Sequence, residues 1–491
     1  MSSLIDNEPG IRDQTVYLQS LGAAQTVTGS KHLLITPELN ILIDCGLFQG
    51  IKSLREKNRE PLPVSASAID MVILTHAHLD HSGYIPLLVK NGYRKPIYMT
   101  QPTRDLAELI LRDSAKLQEE DAEKANRNGY SRHKPARPLY TVSDAVAALA
   151  FFKVISPEET IRVNSDIDFT LYISAHIAGA CSVNLNCFGK CIVFSGDIGR
   201  QQSELLPPPA HVPPADYVVM ESTYGDRLHA KTDAADELAM VINNTVFNHG
   251  NILIPCFAVG RAQEVMHLIY RLKKKQGIPS AIPVFLDSPM AASAGKVLLH
   301  YPDWFTISEK ECAQMFSGVT INDNHQHTQA IIHQRGSKIV LAASGMMTGG
   351  RVLEYLKHYI GDARNTIVII GYQAEGTRGR ALLNKAYEIK IHGQYYPVRA
   401  QVIEIEGLSA HADQTELLEW LGQFKEKTPE VYLVHGEPCA QEALRIKIKD
   451  ELKLKVIIPE QYQKIPLYTV TAHQPANGQA AASTTGSSAT L

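Results

Sequence analysis

Nowhere in these 491 residues is there an apolar run approaching the ~20 residues that a bilayer-spanning helix needs. The opening stretch "MSSLIDNEPGIRDQ" lacks the charged-then-apolar pattern of an export signal. Cysteine is sparse and unpaired in pattern: seven residues, an odd number, with no CxxC. Cys187 and Cys191 flank a predicted turn at "FGK", but an odd count without an export signal favours reduced thiols. Excess positive charge is also missing. Charged residues make up 20% and the formal net charge is -3, so no global basic field advertises a polyanionic partner, and any such site must be local. Internal repeats are absent, and no KH-like or other RNA-binding module is expected ahead of residue 15. These absences predict a cytoplasmic globular protein without a membrane segment, long enough for two or more domains.

The first ~200 residues alternate short β-type runs with turns, as sheets require. "VYLQSLGA", "HLLITPELNILIDCG" and "DMVILTHAH" read as extended segments. "TRDLAELILRDSAKLQEEDAEKANRNG" has helical periodicity and stops at Gly129. "DFTLYISAHIAGACSVNLNCFGKCIVFSGD" returns to strands, and the proline cluster in "LLPPPAHVPPADYVVMEST" excludes regular structure before the next one. After Asp226 helices and strands alternate. "ADELAMVINNTVFNHG" is a predicted helix ending at Gly250, and "RAQEVMHLIYRLKKK" an amphipathic helix. "NILIPCFAVG", "AIPVFLDS", "SKIVLAASG" and "NTIVIIGYQ" are short apolar strands. Such alternation implies βαβ units around a parallel sheet. Strand character resumes at "YYPVRAQVIEIEGLSAH", and residues 471–491 form a low-complexity tail with almost nothing to bury, expected to be disordered.

Against this background "THAHLDHSG", Thr75 to Gly83, concentrates three histidines and an aspartate. On an extended strand end His76 and His78 point the same way, because side chains alternate with a period of two. Asp80 and His81 follow where the chain bends and can face a second point nearby. Two nitrogens to one ion and an oxygen plus a nitrogen to the next is a dinuclear arrangement. The bland alternative is a surface loop of solvated histidines, but HxHxDH behind the buried-type run "MVIL" is a strong metal signature. Other strands end similarly: His176 in "YISAHIAGA", Asp197 in "CIVFSGD", His435 in "VYLVHGE" and Asp44 in "NILIDCG". Singly, each is an ordinary polar residue at a strand terminus. Four strands ending in His or Asp near glycine share one explanation, that these ends converge.

"THAHLDHSG" with His176, Asp197 and His435 resembles the metallo-β-lactamase superfamily, and "ESTYGDR", "GLSAHAD" and "LVHGE" resemble its β-CASP branch of nucleases. "PCFAVGRAQE", "LDSPMA", "SGMMTGGR" and "GYQAEGTRGR" match further blocks of that family in the right order. The resemblance runs from about residue 15 to 470 and points to bacterial and archaeal relatives of the mRNA 3′-end cleavage endonuclease. It implies an α/β fold: an αββα metallo-β-lactamase sandwich from residues 1–225 and 408–470, with a parallel-sheet α/β β-CASP domain, 226–407, inserted into it. The active site is expected in the cleft between the two, with His411 close to His76.

Carried over by position, His76, His78 and His176 bind one zinc, Asp80, His81 and His435 the other, and Asp197 bridges them. Asp44 orients ligands and bound solvent from behind. The family's further catalytic motifs fall on Glu221, His411 and His435. His411 protonates the leaving group and Glu221 holds and charges its imidazole, so Asp44, Asp80, Glu221 and His411 form the expected catalytic set. Two Zn²⁺ outweigh Asp80, Asp197 and a bridging hydroxide in charge, leaving a site that attracts a phosphodiester. A hydroxide between ions ~3.5–4 Å apart is an in-line nucleophile at neutral pH. A ribose oxygen leaves poorly, so a positioned acid is worth roughly 10²–10⁴-fold. The implied products carry 5′-phosphate and 3′-hydroxyl ends. Histidine-rich ligation favours two zinc ions per chain, with manganese as an in-vitro substitute.

The glycine-rich turn at Ser344 and Gly345, opening a helix, is a candidate phosphate site through free N–H groups. "EGTRGR" adds Thr377, Arg378 and Arg380, of which Arg380 matches the family's arginine, and "FAVGRAQE" adds Arg261. Each also reads as a plain turn or a solvated cation. Single-stranded RNA is the expected partner, with endo- and 5′-exonucleolytic modes and a homodimer left open. A DNA nuclease of the cross-link repair branch is the alternative, but that branch characteristically lacks a histidine at the position of His435. A small-ester hydrolase would need neither the insertion nor the Glu221–His411 pair. A non-catalytic scaffold would have lost metal ligands, and all are present here.

Overall fold

The strands of the chain assemble into three large sheets and one hairpin in a computed structural model that describes residues 14–129, 134–229 and 233–470. The 471–491 tail and nearly all of the stretch read for an export signal lie outside the described residues. The first sheet has seven strands in the order Lys464–Thr469, Thr15–Gly22, Lys31–Ile35, Asn40–Ile43, Met71–Ile73, Ile97–Met99, Phe152–Val154. The second also has seven: Val456–Ile457, Glu430–Val434, Tyr217–Glu221, Lys190–Phe194, Cys181–Cys187, Ile167–Ile173, Thr160–Arg162. Their facing sides share one core, in which Leu18, Ile41, Ile43 and Ile73 meet Phe169, Leu171, Val183, Ile192 and Phe194. Each such fully buried aliphatic or aromatic side chain contributes about 1.5–3 kcal/mol, so this shared face holds the two sheets in fixed relation.

Helices cover both outer faces. On the first sheet lies the helix Gln101–Asn128, which packs Leu106, Ile110 and Leu111 against Leu42, Val72 and Ile97. It begins where the Thr100 side chain accepts from Thr103 N, and it ends at Gly129, whose φ of 67° is the left-handed conformation glycine adopts freely. On the second sheet lie Gln414–Gly422 and Pro438–Lys447, burying Leu417, Trp420 and Leu444. The layers run helix, sheet, sheet, helix, the fold that the resemblance implies.

The third sheet is six-stranded and wholly parallel: Thr320–Ile321, Val284–Asp287, Ile339–Ala342, Ile252–Pro255, Thr366–Ile369, Gln401–Glu404. Alternation along one strand shows both faces covered. Ile252 and Ile254 pack with Leu238 and Val265, while Leu253 packs on the other side with Val352 and Leu356. The helix predicted to reach Gly250 ends at Phe247, because Gly250 N turns back to Thr245 O at 2.9 Å and closes the last turn early. All seven cysteines are free, and six of them are at least half-buried; Cys439 is exposed. No helix among the described residues is long and apolar enough to cross a membrane.

Candidate metal centre

Within the two sandwiched sheets, the strands that run parallel deliver their carboxyl-terminal ends to one place. Asn40–Ile43 and Met71–Ile73 are parallel neighbours in the first sheet, as are Lys190–Phe194, Tyr217–Glu221 and Glu430–Val434 in the second. Ligands in α/β sheets collect at such ends. Asp44, His76, Asp197, Glu221 and His435 stand there, and His176 arrives on the loop after Ile167–Ile173. His76 and His78 lie beyond the strand rather than on it, in extended chain, and Leu79–Ser82 is a single helical turn that carries Asp80 and His81. The loop starting at Asp44 crosses this turn closely: Cys45 N donates to His81 O at 2.7 Å and Leu47 N to Leu79 O at 3.0 Å, and Ser30 N donates to Asp80 O at 2.7 Å from the chain beside it. A side chain at Gly46 would place its Cβ 1.5 Å from Asp80 O, so only glycine fits there.

The side chains converge as two nitrogen clusters joined by one carboxylate. His78 Nδ1 lies 3.2 Å from His76 Nε2 and 3.1 Å from His176 Nε2, and Asp197 Oδ2 lies 3.5 Å from each of the latter two. One ring nitrogen makes only one hydrogen bond, so His78 Nδ1 cannot be bonded to both neighbours. Four donors around a tetrahedral ion at ~2.0–2.1 Å would stand roughly 3.3 Å apart, which is this spacing. In the second cluster His81 Nε2 and His435 Nε2 are 3.1 Å apart, Asp80 Oδ2 is 3.5 Å from His435 Nε2, and Asp197 Oδ1 is 3.2 Å from His81 Nε2. Asp197 thus turns one oxygen to each cluster, and its Oδ1 is buried without a hydrogen-bond donor.

The residues behind the clusters fix the tautomers. His81 Nδ1 donates to Asp44 Oδ2 at 2.7 Å, leaving Nε2 for the site. Thr75 Oγ1 gives its proton to Asp44 and so accepts from His76 Nδ1 at 3.1 Å, leaving His76 Nε2 free. Thr223 Oγ1 donates to His435 O and accepts from His435 Nδ1 at 3.1 Å. Asp44 also accepts from Thr75 N at 2.8 Å, and it holds a left-handed φ of 60°. Thr75 and Thr223 lie inside the motifs "THAHLDHSG" and "ESTYGDR", which assigned neither of them a role.

Burial holds His76 and His176 well below the usual imidazole range and His78 at about 4, so all three present lone pairs at neutral pH. Desolvation would raise Asp197, but His435, His81, His76 and His411 pull its carboxyl well below the usual range. For His81, desolvation is outweighed by Asp197 and Asp44, which raise it far above 6.5. A proton on His81 therefore takes the place a cation would hold, and the two compete for Nε2. The donor set, neutral imidazoles with carboxylates and a carboxylate oxygen lacking a donor, fits borderline metal ions such as zinc.

His411 stands over the first cluster, its ring centroid 4.5 Å from that of His176 and its Nε2 3.9 Å from Asp197 Oδ2. Its Nδ1 contacts both oxygens of buried Glu221 at 3.1 Å, and Glu221 also accepts from Ile198 N at 2.6 Å. Desolvation opposes the His411 charge, yet Glu221 and Asp197 raise its pKa above 6.5. Nε2 is thereby the proton-bearing atom aimed at the site. His411 O accepts from His229 Nε2 at 2.9 Å, which fixes the backbone behind the ring.

The expected phosphate contacts fall in two groups. Ser344 and Gly345 form a turn tied by Thr348 N to Ser344 Oγ at 3.1 Å. The turn packs on Phe257, whose ring lies 6.3 Å from that of His78. Thr377 caps the short helix Arg378–Leu383. Arg380 contacts Glu375 at 2.9 Å and Glu437 at 3.3 Å, and Tyr372 donates to Glu437 at 2.5 Å. Arg261 is buried behind His176, paired with Glu264 and donating to Leu408 O, which spends its cation on the protein itself.

Family models match the chain in three parts: the metallo-beta-lactamase superfamily over residues 32–239, the Beta-Casp domain over 262–382, and the Zn-dependent metallo-hydrolase RNA specificity domain over 395–459. Ribonuclease TTHA0252 of Thermus thermophilus is 36% identical over 426 residues, 85% of this chain and 92% of that protein. Transcription termination factor FttA of Methanosarcina mazei is 32% identical, covering 92% of this chain and 71% of its own length. The RNase J-like protein of Methanocaldococcus jannaschii is 30% identical, covering 92% of this chain and all of its own.

Proposed function

Since the chain belongs to the β-CASP family of the metallo-β-lactamase superfamily, we propose that it is a zinc-dependent ribonuclease. It hydrolyses phosphodiester bonds of single-stranded RNA and leaves 5′-phosphate and 3′-hydroxyl ends. The observation that carries this reading is Asp197 dividing its oxygens between two nitrogen clusters beneath the Glu221–His411 pair. A thioester expels a thiolate that needs no such acid, whereas a ribose oxygen leaves poorly without one.

His76, His78, His176 and Asp197 would hold one zinc, and Asp80, His81 and His435, with Asp197 shared, would hold the second. The ions, when bound, supply neutralisation of the phosphodiester charge and activation of the attacking water. Asp44 keeps the His81 proton on Nδ1 and positions Thr75 against His76. His411 Nε2 delivers its proton to the departing 3′ oxygen while Glu221 stabilises the imidazolium. The described residues of 1–225 and 408–470 are assigned to the catalytic sandwich, and those of 226–407 to the inserted cap. Its Ser344–Gly345 turn, Thr377 and Arg380 line the approach to the metals. Arg380 meets a backbone phosphate by exchanging Glu437 for it.

The test uses end-labelled single-stranded RNA and DNA of equal sequence, with and without chelator, resolved by fragment length. RNA cut in preference to DNA, lost on chelation and restored by zinc, supports the reading. Faster cleavage of DNA establishes the DNA-nuclease alternative, and chelator-insensitive cleavage removes the metal from the chemistry.

A further inference from the structure

The hairpin after the Arg378–Leu383 helix takes no part in the site described so far. Its strands, Glu388–Ile391 and Gln394–Pro397, pair only with each other. His392 and Gly393 turn it with φ of 47° and 89°, the two-residue turn whose twist matches antiparallel strands. Ile389 and Ile391 anchor it by packing beside Leu382 and Ile360. Two rings are left in water: Tyr387 is 93% exposed and Tyr395 is 60% exposed. Lys390 stands opposite Tyr395 in the register, with Nζ 5.0 Å from the ring centroid.

The surroundings are basic, although the whole chain carries -3. Lys385 and Arg399 flank the hairpin, both exposed. At its turn, burial and then the nearby cations Lys357, Arg378 and Lys124 hold the His392 imidazole below its ordinary range, against Glu354. Glu354 and Lys357 pair at 2.8 Å and offset each other, and Glu388 is the carboxylate on the hairpin itself. Arg378 links the hairpin to the site. Its Nε donates to Lys390 O at 2.7 Å and its NH1 to Met347 O at 2.9 Å, in the glycine-rich turn that rests on Phe257 beside His78. A path of contacts therefore runs from His78 through Phe257, the glycine-rich turn and Arg378 to Lys390 and the exposed Tyr395 ring.

We propose that this hairpin is a platform for single-stranded RNA outside the metal centre, with Tyr387 and Tyr395 stacking nucleobases and Lys390, Lys385 and Arg399 meeting the phosphates. The proposal rests on the ribonuclease reading for the identity of the polymer. Exposed aromatic rings interleaved with cations are what a sequence-tolerant single-strand site requires, because every base has a π face and every linkage a charge. Such a platform favours long single strands over short ones, since only a long strand reaches both the metals and the hairpin.

The test is fluorescence anisotropy of the zinc-loaded protein with phosphorothioate RNA, which keeps the charge and resists cleavage, in lengths of about 4 and about 16 nucleotides. Changing Tyr387→Ala and Tyr395→Ala together raises the Kd for the longer strand by about tenfold or more, whereas Tyr387→Phe with Tyr395→Phe keeps the parent affinity. Lys390→Glu also weakens binding and lowers its salt dependence. Both rings are on the surface, so these changes leave the core intact. Equal affinity of the alanine variant and the parent for the longer RNA overturns the proposal. So does loss of self-association in the alanine variant with RNA binding unchanged, which makes the face a contact between copies. Should the parent bind this RNA but leave unmodified RNA of the same sequence uncut, the ribonuclease reading fails, and the hairpin is still judged by the same affinities.

Discussion

Asp44→Asn separates the chemistry behind the metals from the backbone that carries it. Asp44 sits at φ 60°, a conformation asparagine adopts readily, so the exchange keeps the turn. The buried carboxylate accepts Thr75 N at 2.8 Å, the Thr75 hydroxyl at 2.9–3.0 Å and His81 Nδ1 at 2.7 Å. An amide accepts only through its oxygen. If that oxygen keeps Thr75 N, the NH2 group faces His81 Nδ1 and obliges it to accept. The His81 proton then moves to Nε2, the atom aimed at the second cluster, and a protonated nitrogen cannot ligate. Losing such an orienting partner costs 10–100-fold in metal affinity, about 1.4–2.8 kcal/mol. Zinc-competition titration against a chelator should show that loss for one of two ions. Histidine nitrogen NMR of the metal-free variant should show His81 Nδ1 without its proton, whereas the metal-free parent carries protons on both ring nitrogens. Unchanged affinity for both ions, or an unchanged His81 tautomer, refutes the role assigned to Asp44.

Asp197→Ala should reduce zinc content from about two equivalents to nearly none by elemental analysis, because its oxygens serve both clusters; two tightly held ions in that variant contradict the bridge. His435→Ala should lower zinc content and activity together. His411→Ala should keep both ions and lose roughly 10²–10⁴-fold in rate, partly restored on an activated aryl phosphodiester that needs less protonation. Glu221→Gln removes a negative charge that raises the His411 pKa, so the acid form is lost at lower pH and the basic limb of the kcat profile should move towards acid; a limb that stays in place assigns the proton to another group.

How much of this was legible depended on whether the determining contacts were local. Apolar runs ending in Asp44, Asp197 or His435, each close to a glycine, announced themselves because a strand end and a tight crossing leave local marks. The short parallel strands from Ile252 to Glu404 did so through their spacing. The one-turn helix carrying Asp80 and His81 was invisible, being shorter than any helical period. Thr75 and Thr223 act only through partners placed by the other strands, so no periodicity encodes them. Arg261 looked like a surface cation, yet its carboxylate, Glu264, lies three residues on, the spacing of a helical ion pair. Arg380 and Glu437 are distant in the chain, and nothing in either neighbourhood foretells that they meet.

The division of ligands between the sheets links the chemistry back to the fold. His76, His78, Asp80 and His81 follow a strand of the first sheet; His176, Asp197 and His435 follow strands of the second. Each cluster takes donors from both, so neither exists until the two inner faces have packed around Ile73, Phe194 and Val434. Packing alone buries Asp197 beside His76 and His176, which burial holds neutral, and the desolvation of that carboxylate is a cost that a cation offsets. Metal binding offsets that cost and adds RT ln(1 + [L]/Kd) per site, about 2.7 kcal/mol at a free concentration 100 times Kd. The apolar core thus creates an electrostatic demand that bound cations would relieve. That coupling explains why this sandwich places its polar residues where both sheets open towards the cap.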